Sequence, residues 1–507
     1  MKRVCLSGFA LAAALAAAPV AAADMRQSVD AWRAAHEAAV VGQLDELTRF
    51  KSVAASPEGT AAAAAKLEGL LKERGFRTAK FEARGGSPPV VFGALGHDPA
   101  KRTVVFYAHY DGQPVTPSQW SSDPFVPVMR AGPLGSGDVD WKQAKPPYDP
   151  EWRLFARAAA DDKASIIAFL AAFDALKAAG IPPSVNIKVV WEGEEEAGSP
   201  HLAEILKEHA GELKSDAWLI GDGPVHQSRR QSLVFGARGA LDVEMTIFGP
   251  IRALHDGHYG NWVPNPAVMA AQLISEMRNT DGKILIPGFY DDVRPLSDAE
   301  KAAIAKLPPV EDQLKHEYQI GRSEGDEGLT ASTMRPALNV RGLRAGQVAA
   351  EAANAIPVDA EISIDFRLVP NQTPDGVRRQ VEQFLRDKGW TIVSATPDAA
   401  TRLAHPKIIL LKWGEGYAGL RADMSSAVAR AMIAAADKAA GQPVALLPMF
   451  GGSVPLYMFD AQFKVPTIIL PIVNHDDSQH AANENLRLRN LWDGIDTYAA
   501  MMSQLNW

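Results

Sequence analysis

The chain has 507 residues, of which 47% are hydrophobic, which is enough for roughly two or three domains with cores of their own. Its 52 basic and 60 acidic residues give a formal net charge of −8, and the absence of basic runs excludes the usual electrostatic pattern of nucleic-acid-binding proteins. The single cysteine, Cys5, excludes an intrachain disulfide framework, so stability must come from the cores.

The first residues have the pattern of a secretory signal peptide. Lys2 and Arg3 precede an apolar run that is too short to cross a membrane, and the alanines at 21–23 form a small-residue cleavage site. We therefore predict that residues 1–23 are removed, that the mature protein is secreted to the periplasm, and that it has no membrane segment. Residues 24–75 predict amphipathic helices that are broken near Pro57.

The segment from Thr103 to Asp111 predicts a strand that ends in two polar residues. Residues 104–108 are an unbroken apolar run, typical of a strand buried on both faces. His109 and Asp111 are two positions apart and point the same way, so His109 could bind a metal while Asp111 orients its ring. A strand-end histidine without a ligand role is the alternative, and the pair alone does not decide between them.

Other apolar strands also end in polar residues. Residues 186–191 lead into four closely spaced glutamates, whose mutual repulsion is costly unless a cation offsets it. Residues 217–220 lead to Asp222, and residues 466–473 lead to His475 and His480. Asp161 begins a helix, where an acidic residue can also be merely an N-cap.

Two kinds of strand pattern predict two domains. Apolar strands that alternate with helices predict an α/β domain with a mainly parallel sheet, whose site lies at the C-terminal strand ends. Between 239 and 420 the strands alternate apolar and polar residues instead, as half-exposed antiparallel strands do. We predict a catalytic domain over 24–238 and 421–507, with an inserted α+β lid or dimerisation domain over 239–420.

Eight motifs follow one another along the chain: HYDGQP from His109, ADDK from Ala160, EGEEEAGS from Glu192, Asp222, LHDGHYG from Leu254, FRLVPN from Phe366, GGSVP from Gly451, and His480 with Asn483-Glu484. In this order they resemble the co-catalytic zinc peptidases, a family that includes carnosinases, bacterial dipeptidases, carboxypeptidase G and succinyl-diaminopimelate desuccinylase. The resemblance covers nearly all of the chain after residue 23. The long insertion is similar to the lid of the carnosinase and dipeptidase branch.

The resemblance implies a homodimer with two Zn²⁺ ions per subunit. Carboxylates and imidazoles without thiolates suit Zn²⁺, and also Mn²⁺ or Co²⁺, while a bridging carboxylate suits ions about 3.5–4 Å apart. The implied ligands are His109 and Asp222 for one ion, Glu196 and His480 for the other, and Asp161 for both. His475 remains an alternative ligand, although the Asn483-Glu484 that follows favours His480.

The resemblance also implies roles around the metals. Glu195 would be the general base, and Asp111 would orient His109. His255 in the lid would stabilise the oxyanion, often across the subunit interface of a dimer. Arg367 and Ser453 would receive the carboxylate end of the substrate. Structural alternatives for these residues are surface positions for His255 and a strand ion pair for Arg367.

Two segments depart from the family pattern. Relatives usually have Gly-Arg-Gly ahead of the bridging aspartate, where this chain has Ala156-Arg157-Ala158. They usually have Arg-Glu before Gly-Gly-Ser, where this chain has Met449-Phe450. The second departure removes a charged pair near the substrate pocket, so carnosinase specificity is not expected to transfer.

We therefore predict a secreted di-zinc metallopeptidase that hydrolyses amide bonds of dipeptides or short peptides. The alternative is an N-acyl-amino-acid deacylase, an amidohydrolase with the same metals. A metal-dependent peptide-binding protein without catalysis is a third hypothesis, disfavoured by Glu195 beside Glu196. The expected partners are a small peptide or acyl-amino-acid substrate and a second copy of the chain, without nucleic acid.

Overall fold

The computed structural model describes residues 24–452 and 454–507. The predicted signal peptide and the predicted substrate-binding residue Ser453 lie outside the described residues. The strands of the described chain are β1 (Arg77–Phe81), β2 (Val90–Leu95), β3 (Thr103–His109), β4 (Val128–Arg130), β5 (Arg153–Phe155), β6 (Asn186–Glu192), β7 (Ala217–Ile220), β8 (Ser232–Val234), β9 (Gly236–Ala237), β10 (Gly239–Phe248), β11 (Leu254–His255), β12 (Ala337–Arg344), β13 (Ala355–Ile356), β14 (Asp359–Leu368), β15 (Thr391–Val393), β16 (Ile408–Trp413), β17 (Leu420–Arg421), β18 (Ala445–Leu447), β19 (Thr467–Ile469) and β20 (Asn485–Arg487).

Helices connect or flank these strands, and within the described residues none is long and apolar enough to cross a membrane. They are α1 (Met25–Thr48), α2 (Pro57–Glu73), α3 (Lys163–Ala178), α4 (Leu202–Glu208), α5 (Ala210–Leu213), α6 (Asp256–Tyr259), α7 (Pro266–Met277), α8 (Asp298–Ala305), α9 (Glu311–Tyr318), α10 (Leu329–Thr333), α11 (Pro374–Asp387), α12 (Ala399–Ala404), α13 (Ala427–Ala440), α14 (Leu456–Phe463) and α15 (Leu488–Ser503).

The larger sheet has eight strands in the order β1-β2-β6-β3-β7-β19-β8-β18. Its four central strands, β6, β3, β7 and β19, run parallel. On one side of them, β2 pairs antiparallel with β6, and β1 pairs antiparallel with β2. On the other side, β8 pairs antiparallel with β19. The predicted α/β fold with a mainly parallel sheet is confirmed, and antiparallel pairings flank its parallel centre.

Helices cover both faces of this sheet, which explains why residues 104–108 of β3 form an unbroken apolar run. Val104 and Phe106 belong to the core shared with α1, α3 and α15, whereas Val105 and Tyr107 belong to the core shared with α4 and α14. All seven residues of β3 are buried. Each large side chain buried in this way contributes about 1.5–3 kcal/mol, which holds the strand end and its polar residues in a fixed position.

A second sheet of five strands has the order β12-β14-β10-β16-β15 and its own apolar core. Buried and partly exposed residues alternate along β10 and β14, which pair antiparallel. The inward-facing side chains pack against α7 and α11. The short strands β9 and β17, where the chain enters and leaves this region, pair with each other. We propose that this core delimits the inserted domain over 239–420.

Candidate active site

Polar side chains gather where the four central strands of the larger sheet end. The carboxyl ends of parallel strands meet at one edge of a sheet, so residues far apart in sequence come together there. This edge holds His109 at the end of β3, Glu195 and Glu196 after β6, Asp222 after β7, His480 in the segment after β19, and Asp161 just before α3.

Two groups of three residues could each hold a metal ion, and they share Asp161. The first is His109, Asp161 and Asp222, and the second is Asp161, Glu196 and His480; within each group one ligand atom per residue lies within 4.8 Å of the others. The two oxygens of Asp161 face different groups. Oδ1 lies 2.9 Å from Nε2 of His109, and Oδ2 lies 3.1 Å from Nε2 of His480.

The position of Asp161 rules out the helix-cap alternative. The N-cap of α3 is Asp162, and its side chain makes no capping hydrogen bond within the described residues. Asp162 instead accepts the backbone N–H of His109 at 3.2 Å. Asp161 is thus directed into the site, while Asp162 connects the start of α3 to the end of β3.

Asp111 contacts both the His109 ring and the turn that carries Glu195 and Glu196. Its Oδ1 lies 3.4 Å from Nδ1 of His109, longer than a standard N–H···O hydrogen bond. Its two oxygens also accept the backbone N–H groups of Glu195 at 3.2 Å and Glu196 at 3.1 Å. The buried Asp111 carboxylate therefore positions the turn that carries both glutamates as well as the imidazole.

Three further residues support the candidate ligands. Gln113 donates through Nε2 to Oε2 of Glu196 at 2.8 Å, and Gln479 donates through Nε2 to Oδ2 of Asp161 at 2.7 Å. Glu484 is fully buried and accepts the backbone N–H groups of Ala160 and Asp161, each at 2.9 Å. Sequence reasoning assigned none of these roles, although all three residues lie within five positions of a predicted site residue.

Glu484 also pairs with the arginine of the Ala156-Arg157-Ala158 segment. Arg157 Nη1 donates to Oε2 of Glu484 at 2.8 Å, and the same oxygen accepts the backbone N–H of Ala158 at 3.0 Å. Arg157 Nη2 donates to the carbonyl oxygen of Ala481, beside His480. This departure from the family pattern keeps the arginine and joins the segment before Asp161 to the loop that carries His480.

Burial and crowded carboxylates control protonation at the site. Burial, with the carboxylates of Asp222, Glu196 and Asp161, raises the pKa of Glu195 well above its usual value, against the opposing effect of His109. Burial and the Asp161 charge raise the pKa of Asp222 to about 7. Hydrogen bonds to Asp161 and Glu196 raise the pKa of His480 to about 10. Carboxylates outnumber imidazoles, so a cation would be stabilised among them.

Arg367, His255 and His475 lie outside the two candidate metal groups of the described residues. Arg367 lines the cavity at the site and pairs with Asp365 at 3.1 Å. The His255 side chain is 57% exposed in the inserted region and is absent from the described lining of that cavity. His475 is mostly buried near Glu317, outside both candidate metal groups of the described chain, so the geometry favours His480.

A cavity of about 650 Å³ opens above the candidate ligands. Asp161, Glu195, Asp222 and His480 reach it from the catalytic side, and α10 of the inserted region contributes to its wall. Cavities of this size are typical of small-molecule sites. Met449 and Phe450 line it where relatives usually have a charged pair, so part of its wall is apolar.

The sequence is similar to characterised dipeptidases. It is 28% identical over 428 residues to the Cys-Gly metallodipeptidase dug1 of Schizosaccharomyces pombe, covering 82% of this chain and 83% of the relative. It is 26% identical over 426 residues to the Beta-Ala-His dipeptidase of Homo sapiens, covering 82% and 78%. The fold resembles the M20 family metallo-carboxypeptidase Sso-CP2 of Sulfolobus solfataricus, with a TM-score of 0.73, 26% identity, and coverage of 92% of this chain and 98% of that one.

The predicted secretion to the periplasm is wrong by this comparison. The similar Cys-Gly metallodipeptidases are cytosolic enzymes, which points away from an exported protein. The prediction depended only on the composition of residues 1–23, which lie outside the described residues. A short apolar run after basic residues is a compositional pattern, which does not by itself establish export.

The family model of peptidase family M20/M25/M40 matches residues 105–504, which include all the candidate metal ligands. The resemblance to carnosinases, dipeptidases and the desuccinylase is therefore confirmed. The chain belongs to peptidase family M20/M25/M40 and is a metallopeptidase with dipeptidases among its relatives.

Proposed function

We propose that the protein is a dipeptidase that binds two metal ions and uses Glu195 as its general base. The observation that carries the proposal is the pair of three-residue groups sharing Asp161, with Glu195 on the same cavity. Relatives of this chain are named as dipeptidases for Cys-Gly and for Beta-Ala-His. A free dipeptide is therefore the substrate class that we propose.

The residues present fit two divalent ions. All five candidate ligands supply imidazole nitrogen or carboxylate oxygen, a donor set that suits Zn²⁺ and also Mn²⁺ or Co²⁺. The crowded carboxylates would repel one another without a cation. We propose that one ion binds His109 and Asp222, that the other binds Glu196 and His480, and that Asp161 binds both.

Bound ions would polarise the scissile carbonyl and lower the pKa of water towards about 7. Glu195 would accept a proton from the attacking water and return it to the leaving amine, a role worth roughly 10²–10⁴-fold in rate. The backbone N–H of Glu195 is held by Asp111, which keeps the carboxylate beside the ligands. A nearby cation would also favour the ionised form of Glu195 that can accept a proton.

Arg367 is the proposed partner of the substrate carboxylate. It reaches the cavity from β14, and its pairing with Asp365 holds the guanidinium in place. A guanidinium can bind a carboxylate through two parallel hydrogen bonds. We propose that Ser453, which follows the cavity-lining Gly451 and Gly452, assists in this contact.

The proposed oxyanion role of His255 requires a second copy of the chain. His255 is exposed on its own protomer, and Trp262 nearby is 78% exposed. Exposed aromatic residues are enriched at protein interfaces. We propose a homodimer in which His255 of one protomer reaches the cavity of its partner.

Product analysis of a mixed substrate panel tests the proposed function. The purified protein, loaded with Zn²⁺ or Mn²⁺, would be incubated with free dipeptides, longer peptides and N-acyl amino acids, and the products identified by mass spectrometry. We expect free dipeptides to be cleaved by the wild type and only weakly by Glu195→Gln. Release of amino acids from the acylated set alone would contradict the dipeptidase proposal and indicate the deacylase instead.

A further inference from the structure

We propose that His226 is a specificity-determining residue that donates a hydrogen bond from Nε2 to the side chain of the dipeptide. The favoured side chain would be uncharged and end in an acceptor, as a carboxamide or hydroxyl does. The inference rests on the proposed dipeptidase function and adds a substrate preference to it. His226 is not among the residues that the family motifs assign to the site.

The ring of His226 is fixed by its neighbours. The residue is 3% exposed, and it follows the candidate ligand Asp222 by four positions. Its Nδ1 accepts the backbone N–H of Ser228 at 3.2 Å and lies 2.8 Å from Oγ of the same serine. A backbone N–H can only donate, so Nδ1 must be the unprotonated nitrogen and Nε2 must carry the proton.

The protonated nitrogen is available to a ligand. His226 lines the 650 Å³ cavity, and among the described residues no hydrogen bond engages its Nε2. The backbone around it is held as well, because Val225 donates to the carbonyl of Val473 at 2.8 Å and His226 N–H donates to Oγ of Ser232 at 3.1 Å. A donor held in this way costs free energy when an apolar ligand covers it and leaves it unpaired.

The imidazole stays neutral in its surroundings. Burial, with the charge of Arg230, lowers the pKa of His226 to about 4, and His475 acts in the same direction. Glu311 on α9 opposes these effects but does not outweigh them. The donor is therefore a neutral N–H near pH 7, suited to an uncharged acceptor.

Part of the wall of the cavity that His226 lines is apolar. Val225, Leu447, Met449 and Phe450 line the same cavity. The Phe450 ring packs closely on Gly223, where an added Cβ would lie 2.8 Å from Cε2 of the ring. Apolar residues accommodate a hydrocarbon stem, while the His226 N–H discriminates between side chains by the group at the end of that stem. Glutamine matches this combination, and norleucine is its hydrocarbon counterpart of similar length.

The test is a comparison of kcat/KM for Gln-Ala, norleucine-Ala, Ala-Gln and Ala-norleucine. We expect the wild type to prefer glutamine over norleucine about tenfold in one of the two positions, the effect of one neutral hydrogen bond. His226→Leu should reduce that ratio to about one, whereas His226→Gln, whose amide can place a donor near the same point, should keep it within about threefold of wild type. His97→Leu, on the loop before β3 at the opposite end of the sheet, is the matched control and should leave the ratio unchanged.

The ratio of two substrates measured on one variant does not depend on how much of that variant is folded, so partial misfolding cannot imitate the result. A wild-type ratio near one in both positions would overturn the inference, as would a tenfold preference that persists in His226→Leu. Failure of the wild type to hydrolyse any dipeptide would instead refute the proposed function, and the two failures are therefore distinguishable.

Discussion

At the scale of single residues, the ion pair between Arg157 and Glu484 stabilises the backbone that carries the candidate ligand Asp161. The side chains of Arg157 and Glu484 are 3% and 0% exposed, and Glu484 also holds the backbone at Asp161. We predict that Arg157→Met lowers the free energy of unfolding by about 3–5 kcal/mol, because it leaves a buried carboxylate without its charge partner. Urea unfolding followed by circular dichroism measures this change.

Arg84→Met is the matched control for that substitution. Arg84 also pairs with a glutamate, Glu208, but its side chain is 83% exposed. Solvent screening limits such a pair to about 0–1 kcal/mol, so its loss should be small. Equal effects of the two substitutions would contradict the structural role assigned to Arg157.

The motifs of the sequence predict which residues meet at the site. All five candidate metal ligands and Asp111 come together as the motifs predict. Gln113, Gln479 and Glu484 were not assigned because their roles depend on partners distant in sequence. Glu484, for example, binds the backbone of Asp161, 323 positions away, and no local pattern indicates which backbone groups a carboxylate will meet.

At the scale of secondary-structure elements, β9 and β17 pair antiparallel where the chain enters and leaves the inserted region. A Cβ at Gly236 would collide with the carbonyl oxygen of Leu420, so the two strands approach closely only because this residue is glycine. We predict that Gly236→Ala destabilises the protein by about 1–3 kcal/mol, the range of overpacking. Thermal unfolding and urea titration measure it.

The control for this prediction is another glycine-to-alanine change. Gly69 lies within α2, and an added Cβ there would meet no described atom within 4 Å. Alanine favours the helix over glycine by about 0.5–1 kcal/mol, so Gly69→Ala should stabilise. Similar changes of the same sign at both positions would show that the close approach of β9 and β17 does not limit the fold.

Strands with a regular pattern of apolar and polar residues could be predicted from the sequence, and very short strands could not. The alternation along β10 and β14 and the apolar run of β3 match their observed burial. The small sheet of β20, β5 and β4 was missed, because each strand has only three residues and cannot show a period. The antiparallel pairings on the two sides of the parallel centre were not predicted, because an apolar run indicates burial and not strand direction.

At the scale of the whole molecule, the proposed homodimer makes a prediction that a monomer cannot satisfy. Glu195→Gln and His255→Ala should each have low activity as pure proteins, because each lacks one group at every site. A mixed dimer would have one complete site, with Glu195 from one protomer and His255 from its partner. Random reassembly of an equal mixture should therefore recover about a quarter of wild-type activity, since half the dimers are mixed and each has one intact site of two.

Activity assays before and after dissociation and reassembly of the mixture measure this recovery. A mixture of Glu195→Gln with wild type is the reference for the effect of exchange itself. Activity of the mixture equal to the mean of the two pure variants would contradict a shared site, and His255 would then have no role at the partner's cavity.

The most direct test of the central proposal is the Glu195→Gln variant, with its metal content and its turnover of a free dipeptide measured on the same sample. Glu195 is proposed as the base and not as a ligand, so we predict two metal ions per chain, as in the wild type. We also predict kcat lower by roughly 10²–10⁴-fold, because the proton acceptor is lost. Turnover close to that of the wild type would contradict the assignment of Glu195, and loss of the metals with the activity would show that it acts as a ligand.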